Sequence, residues 1–309
     1  MKLGTYTTIA LATAALSVFA VGCDDDDDST PSTTASGTST GTGAGTGGSA
    51  GMGGSGGSAG MGGMGGGGGG EATGRVRVGH LSPDAPPVDF CVDPGSGFIG
   101  PVMASLSDTD GLAYTEVTDY LELPAATYAV RLVAPNASDC DTPLGPADTT
   151  GIVLPEDVDA TIAAIGMLTP AGEDEAFELT VYVDDNADPA TGKAHLRFIH
   201  ASPDTPGVDV GTGSEETSDF SAIWDNVPYP EVGLVGGQPY LETDPLSGVT
   251  ISAQANDAGV DALVISGVNL PEGAIATAYA IGNLDADPQD LKVLLCVDNA
   301  APVSCSVVP

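Results

Sequence analysis

The feature that most constrains this chain is that its second half repeats its first. His80-Leu-Ser82-Pro83-Asp84-Ala-Pro86-Pro-Val88-Asp89 returns as His200-Ala-Ser202-Pro203-Asp204-Thr-Pro206-Gly-Val208-Asp209, displaced by 120 positions. Arg77 and Arg197 keep that offset, as do Tyr120-Leu-Glu and Tyr240-Leu-Glu. Further on, Leu154-Pro-Glu, Ala160-Thr161 and Ala164-Ile-Gly return as Leu270-Pro-Glu, Ala276-Thr277 and Ala280-Ile-Gly. Asp185-Asn186 matches Asp298-Asn299. The shrinking offset places small loop insertions between two copies of one domain, about 115 residues each, over 75–190 and 191–309. Whatever fold one copy adopts, the other must share.

Each copy reads as all-β. Tyr128, Val130 and Leu132 alternate with other residues, as do Phe177, Leu179, Val181 and Val183. Leu291, Val293, Leu295 and Val297 repeat the pattern in the second copy. Pro94-Gly95, Asp110-Gly111, Asp188-Pro189 and Pro271-Glu-Gly273 punctuate these runs, and helical periodicity is nearly absent. Short strands at this spacing predict two tandem immunoglobulin-like β-sandwich domains. Each copy is long enough to hold a core of its own.

The N-terminus predicts where they sit. Lys2, a short apolar run over 11–20 and Ala20-Val-Gly-Cys23 resemble a bacterial lipoprotein export signal, the run being too short to span a bilayer. Residues 1–22 are then removed and Cys23 carries the lipid, which anchors the chain to a bacterial membrane in the cell envelope, periplasmic or surface-exposed. Five aspartates follow, and residues 23–74 continue as a Ser/Thr- and then Gly-rich tether with no apolar face, expected to be disordered. Its 46 residues from Ser29 to Gly74 would span roughly 35–40 Å as a flexible coil. A Gly-x-Ser-x-Gly match at Gly47 to Gly51 lacks the strand and helix that a hydrolase elbow requires. The formal charge of −36, with only seven Lys and Arg, makes nucleic acid and anionic lipid headgroups poor partners and suits cationic partners or divalent metal ions, while a tethered pair of similar modules can engage a repeating ligand such as an envelope polysaccharide or another envelope protein.

With Cys23 lipidated, four cysteines remain, and an even number in an exported chain predicts disulfides. Cys91 with Cys140 and Cys296 with Cys305 close within one copy each, whereas other pairings would join the copies. No two cysteines have zinc-ligand spacing.

The repeated His-x-Ser-Pro-Asp-x-Pro-x-Val-Asp element resembles the domain of unknown function 4397 family over essentially all of 75–309. The resemblance implies an exported or lipid-anchored protein and brings no catalytic residues. On its own chemistry the element is a rigid strand connection. Pro83 and Pro203 suit the second position of a turn, and Asp84 and Asp204 can accept backbone hydrogen bonds. His80 and His200 are expected to bond Asp89 and Asp209 or a turn carbonyl. A triad of Ser82, His80 and Asp89, or Ser202, His200 and Asp209, lacks an oxyanion hole. The chain is therefore expected not to be an enzyme. The residual catalytic alternative is a hydrolase using the carboxylates of Asp84 and Asp89. Asp184, Asp185 and Asp188, with Asp285 and Asp287, supply hard oxygen ligands in short loops, so calcium is the one candidate cofactor and a calcium-dependent binding module the nearer alternative. The reading that absorbs most of these features is a non-catalytic binding or structural protein of the envelope.

Overall fold

The computed structural model describes residues 72–105, 110–145, 148–172, 175–255, 261–284 and 288–308. The export signal, Cys23, the tether up to residue 71, Asp285 and Asp287 lie outside the described residues. The first repeat runs β1 (Thr73–His80), β2 (Asp89–Asp93), a single helical turn α1 (Val102–Ser105), β3 (Leu121–Pro124), β4 (Ala126–Val133), β5 (Thr149–Leu154), β6 (Asp159–Ile165) and β7 (Glu178–Asp184). The second runs β8 (Ala194–His200), β9 (Val208–Thr212), β10 (Ser221–Val227), β11 (Tyr240–Thr243), β12 (Leu246–Ala255), β13 (Asp261–Leu270), β14 (Ile275–Ile281), β15 (Lys292–Val297) and β16 (Ser304–Val308).

The fold is all-β. In the first repeat a sheet of order β3-β1-β6-β7 faces one of order β2-β4-β5; in the second, β11-β8-β14-β15-β16 faces β10-β9-β12-β13. The register repeats as well: β1 runs parallel to β6 with Arg77 opposite Thr161, and β8 runs parallel to β14 with Arg197 opposite Thr277. Period-two alternation explains each core. Val76, Val78 and Ile162 turn inward to meet Phe90, Val130 and Ile152 of the facing sheet. Leu196 and Phe198 meet Val208, Val210 and Trp224 in the same way. Trp224, 2% exposed, is a core residue. Cys91–Cys140 and Cys296–Cys305 are joined as disulfides.

The other face of each inner sheet is also covered, and here the structure goes beyond two separate modules. Leu81, Ala163, Ile165 and Tyr182 of the first repeat form one buried cluster with Ile199, Tyr279, Ile281 and Leu294 of the second. The Tyr182 hydroxyl donates to the carbonyl of Pro230, and the amide of Val303 donates to Asp119. Both repeats belong to one compact unit with the sheets stacked as four layers. Strands covered on both sides have no solvent face, which is why β6 and β14 read as Ala-Thr-Ile-Ala-Ala-Ile and Ile-Ala-Thr-Ala-Tyr-Ala-Ile, without polar alternation.

One alternating run departs from its expected role. Leu295 and Val297 of β15 are half-buried, but their register equivalents on β7, Val181 and Val183, are 38% and 64% exposed. The physical difference is β16, which pairs along the outer edge of β15 and has no counterpart on β7 among the described residues.

Candidate functional site

Strand alternation fixes what lines the junction between the repeats. Arg77 lies between the core residues Val76 and Val78 on β1, Arg197 between Leu196 and Phe198 on β8, and both point into the neighbouring repeat with no exposed surface. An arginine cannot be deprotonated under native conditions, so each must meet a carboxylate. Arg77 Nη1 donates to Asp298 Oδ1 at 2.7 Å, and Arg197 Nη2 donates to Asp184 Oδ1 at 2.6 Å. Each repeat thus gives its arginine to the aspartate of the other.

Threonines close the circuit. Arg77 Nε donates to Thr161 Oγ1 at 2.8 Å, and that hydroxyl donates to Asp184 Oδ2 at 2.7 Å. Arg197 Nε donates to Thr277 Oγ1 at 3.0 Å, which donates to Asp298 Oδ2 at 2.6 Å. The result is a six-membered ring of side chains, Arg77-Thr161-Asp184-Arg197-Thr277-Asp298, whose four charged members have no exposed side-chain surface. Tyr120 lies over Arg77 with 5.1 Å from guanidinium carbon to ring centroid, and Tyr240 over Arg197 with 4.7 Å. The Tyr120 hydroxyl also donates to Asp184 at 2.6 Å.

Burial by itself would lower the pKa of both arginines. Tyr279 and the two aspartates overturn it, and both arginines are held above their ordinary value. Burial raises the Tyr279 pKa, and its hydroxyl has no hydrogen-bond partner among the described residues.

Backbone pairing also corrects the alignment of the acidic residues. Asp184 and Asp298 take equivalent places, because Val183 opposes Ala160 as Val297 opposes Ala276. Matching by the Asp-Asn pair set Asp185 against Asp298, one residue out. Asp184 is therefore removed from the calcium candidates, since both its oxygens are engaged by Arg197, Thr161 and Tyr120. Asp185 and Asp188 remain as exposed loop residues. Among the described residues no three His, Cys, Asp or Glu side chains converge in a metal-binding group.

The repeated motif acts as a clasp. His80 Nε2 donates to the carbonyl of Pro86 at 3.0 Å and His200 Nε2 to that of Pro206 at 3.2 Å, which leaves both rings in the Nε2–H form. Burial lowers both histidine pKa values, with the carbonyl bonds opposing in part. Asp84 accepts from the amides of Leu168 and Thr169 and from the Thr169 hydroxyl. Burial would raise its pKa, but these donors lower it below the ordinary carboxylate value. Asp204 accepts from Leu284 in the equivalent loop. Asp89 accepts from the amides of Phe90 and Met103, and Asp209 from that of Asn226. Ser82 lies 3.5 Å from Asp84, and Ser202 donates to the carbonyl of Gly282. Pro83 and Pro203 sit in the bends between them. The side chains of the imagined triads thus face backbone partners in different directions. Asp84 and Asp89 are each bound to amides of separate segments.

Residues 74–211 match the family described as Domain of unknown function (DUF4397). The chain carries a domain of that family. The DUF4397 match begins in β1, takes in the whole first repeat and ends in β9, just beyond the second copy of the clasp. No curated protein matches the sequence.

Beside the ring the surface is concave. A cleft of ≈ 540 Å³ is walled by Arg75, Tyr120 and Asn186 of the first repeat and Asn299 and Pro302 of the second, with Asp119 at its edge. Asn186 Nδ2 donates to Asp159, while its Oδ1 has no hydrogen-bond partner among the described residues. Arg75 also bonds Asp159 and remains half exposed. The cleft is lined by a guanidinium, amides, the carboxylates of Asp119 and Asp298 and a phenol ring. Sequence reasoning registered Arg77, Thr161 and Tyr120 as repeated without giving them a role. The usable signal was an arginine in the middle of an apolar strand, in both copies.

Proposed function

We propose that this chain is a non-catalytic, lipid-anchored component of the cell envelope that binds an envelope polysaccharide or protein in the cleft between its repeats. The observation that carries this reading is the cleft itself: both repeats build its walls, and the buried ring holds those walls in a fixed relation. Preorganised polar walls lower the ordering cost of binding. The mixture of amide, guanidinium and phenol groups suits a neutral, hydroxyl-rich ligand, and the strongly acidic chain disfavours polyanions. The two disulfides support an oxidising compartment.

Retention of the full chain on purified envelope polysaccharide and on envelope protein fractions tests the site. Arg75→Ala and Asn186→Ala are expected to lower retention with little change in melting temperature; unchanged retention by both variants overturns the cleft as the site. Labelling with a fatty acid tests the anchor: the wild type should take the label and Cys23→Ser should not, and equal labelling of the two removes the lipid from the account.

A further inference from the structure

The two repeats differ at one edge, and that difference points to a partner. β15 and β7 are equivalent strands, each hydrogen-bonded on one side to the parallel pair at the centre of its sheet. In the second repeat the outer side of β15 is taken by β16, antiparallel, with Cys305 opposite Cys296 and Val307 opposite Leu294. The side chain of Val308 reaches the apolar slot of ≈ 60 Å³ between the two sheets. The first repeat has a matching slot of ≈ 50 Å³, lined without polar groups by residues that include Leu179, Val181 and Val153. Its outer strand is β7 itself, and no strand pairs with that edge among the described residues. Val183, Val153 and Val181 stand 64%, 60% and 38% exposed beside it.

We infer that the outer edge of β7 receives an extended strand from a partner protein, a segment with alternating β-branched apolar residues and basic residues at its ends. The second repeat supplies the template, because its own C-terminal strand makes this addition in the same fold. The basic ends follow from charge. Glu178 opens β7, Asp185 follows it and the chain carries −36, so a cationic segment is attracted where an acidic one is repelled. A second copy of this chain is disfavoured on the same ground: two chains of −36 repel, and antiparallel pairing of two β7 strands about Val181 would bring Glu178 of each copy beside the exposed Asp185 of the other. The inference is independent of the cleft and of the lipid anchor.

The probe is a synthetic fluorescent peptide with the β16 sequence, serine in place of Cys305 and lysines added at both ends, titrated against the full chain by fluorescence anisotropy. Saturable binding is expected, weakened at least about tenfold by Val183→Lys and by replacing the peptide lysines with glutamates. Val307→Lys, on the edge of β16, should leave it within about twofold. Melting temperatures of both variants should stay near that of the wild type. No saturable binding up to about 1 mM peptide, or equal binding by Val183→Lys, overturns the inference. A dimer by light scattering that dissociates in Val183→Lys overturns it in favour of self-association. Arg75→Ala should leave peptide binding unchanged, which separates failure at the edge from failure at the cleft.

Discussion

Replacing Asp298 by alanine should expose how much the ring between the repeats holds. The substitution removes the 2.7 Å partner of Arg77 Nη1 and the acceptor of the Thr277 hydroxyl, in a place with no solvent to replace them. Leaving one member of a buried ion pair without its partner costs about 3–5 kcal/mol. Asp184 lies 3.6 Å from Arg77 Nε and still offsets part of the stranded charge, so the lower end, about 3 kcal/mol, is expected. For a body of this size each kcal/mol lowers the melting temperature by about 2–4 °C, which gives a drop of about 6–12 °C. Urea unfolding followed by circular dichroism measures the loss directly. The double variant Arg77→Met with Asp298→Leu removes both charges and should recover at least about 2 kcal/mol of it, because the desolvation cost disappears with the pair. The reasoning is refuted if Asp298→Ala stays within about 0.5 kcal/mol of the wild type, or if the double variant is as unstable as the single one.

Two further outcomes follow from the clasp and its loops. Burial lowers the pKa of His80 and His200 below the ordinary 6.5, so their neutral form contributes stability that is complete above that pH and is lost as the pH falls below it. Between pH 6.5 and 5.5 the unfolding free energy should fall by at most about 1 kcal/mol per histidine, and a His200→Gln variant should show a shallower slope in urea titrations; an unchanged slope would count against the assignment. Gly282 has φ +83°, and a Cβ there would stand 2.1 Å from the carbonyl oxygen of Asp290, so Gly282→Ala should cost at least about 2 kcal/mol in the same assay. A cost under about 0.5 kcal/mol would mean that the loop yields.

The sequence made the doubling, the β class and the strand pattern legible, because period-two alternation and turn residues are local signals. It did not reveal what the second face of each inner sheet meets. Arg77 and Arg197 were visibly repeated, yet Arg77 and Asp298 are 221 positions apart, and no local pattern joins them. Asp184 looked like one acid in a solvated cluster, since nothing in Asp-Asp-Asn says which of the carboxylates turns inward. Strand register decides it, and identity matching placed the register one residue out. Val181 and Val183 misled in the opposite sense. Alternation predicts a face, but whether that face is covered depends on a neighbouring strand, which the second repeat has and the first lacks among the described residues.

The separation of Arg77 from Asp298 also sets an order on assembly. Chain synthesis delivers the first repeat long before Asp298, the residue that pairs with its buried arginine. Closing so long a loop is entropically costly and slow compared with pairing neighbouring strands. The first repeat can collapse around its own valines, but its inner sheet stays unfinished until the last strands of the second have docked. Completion of the fold therefore waits on the last strands, and a chain cut short before Asp298 leaves Arg77 with Asp184, 3.6 Å from its Nε, as the carboxylate beside it.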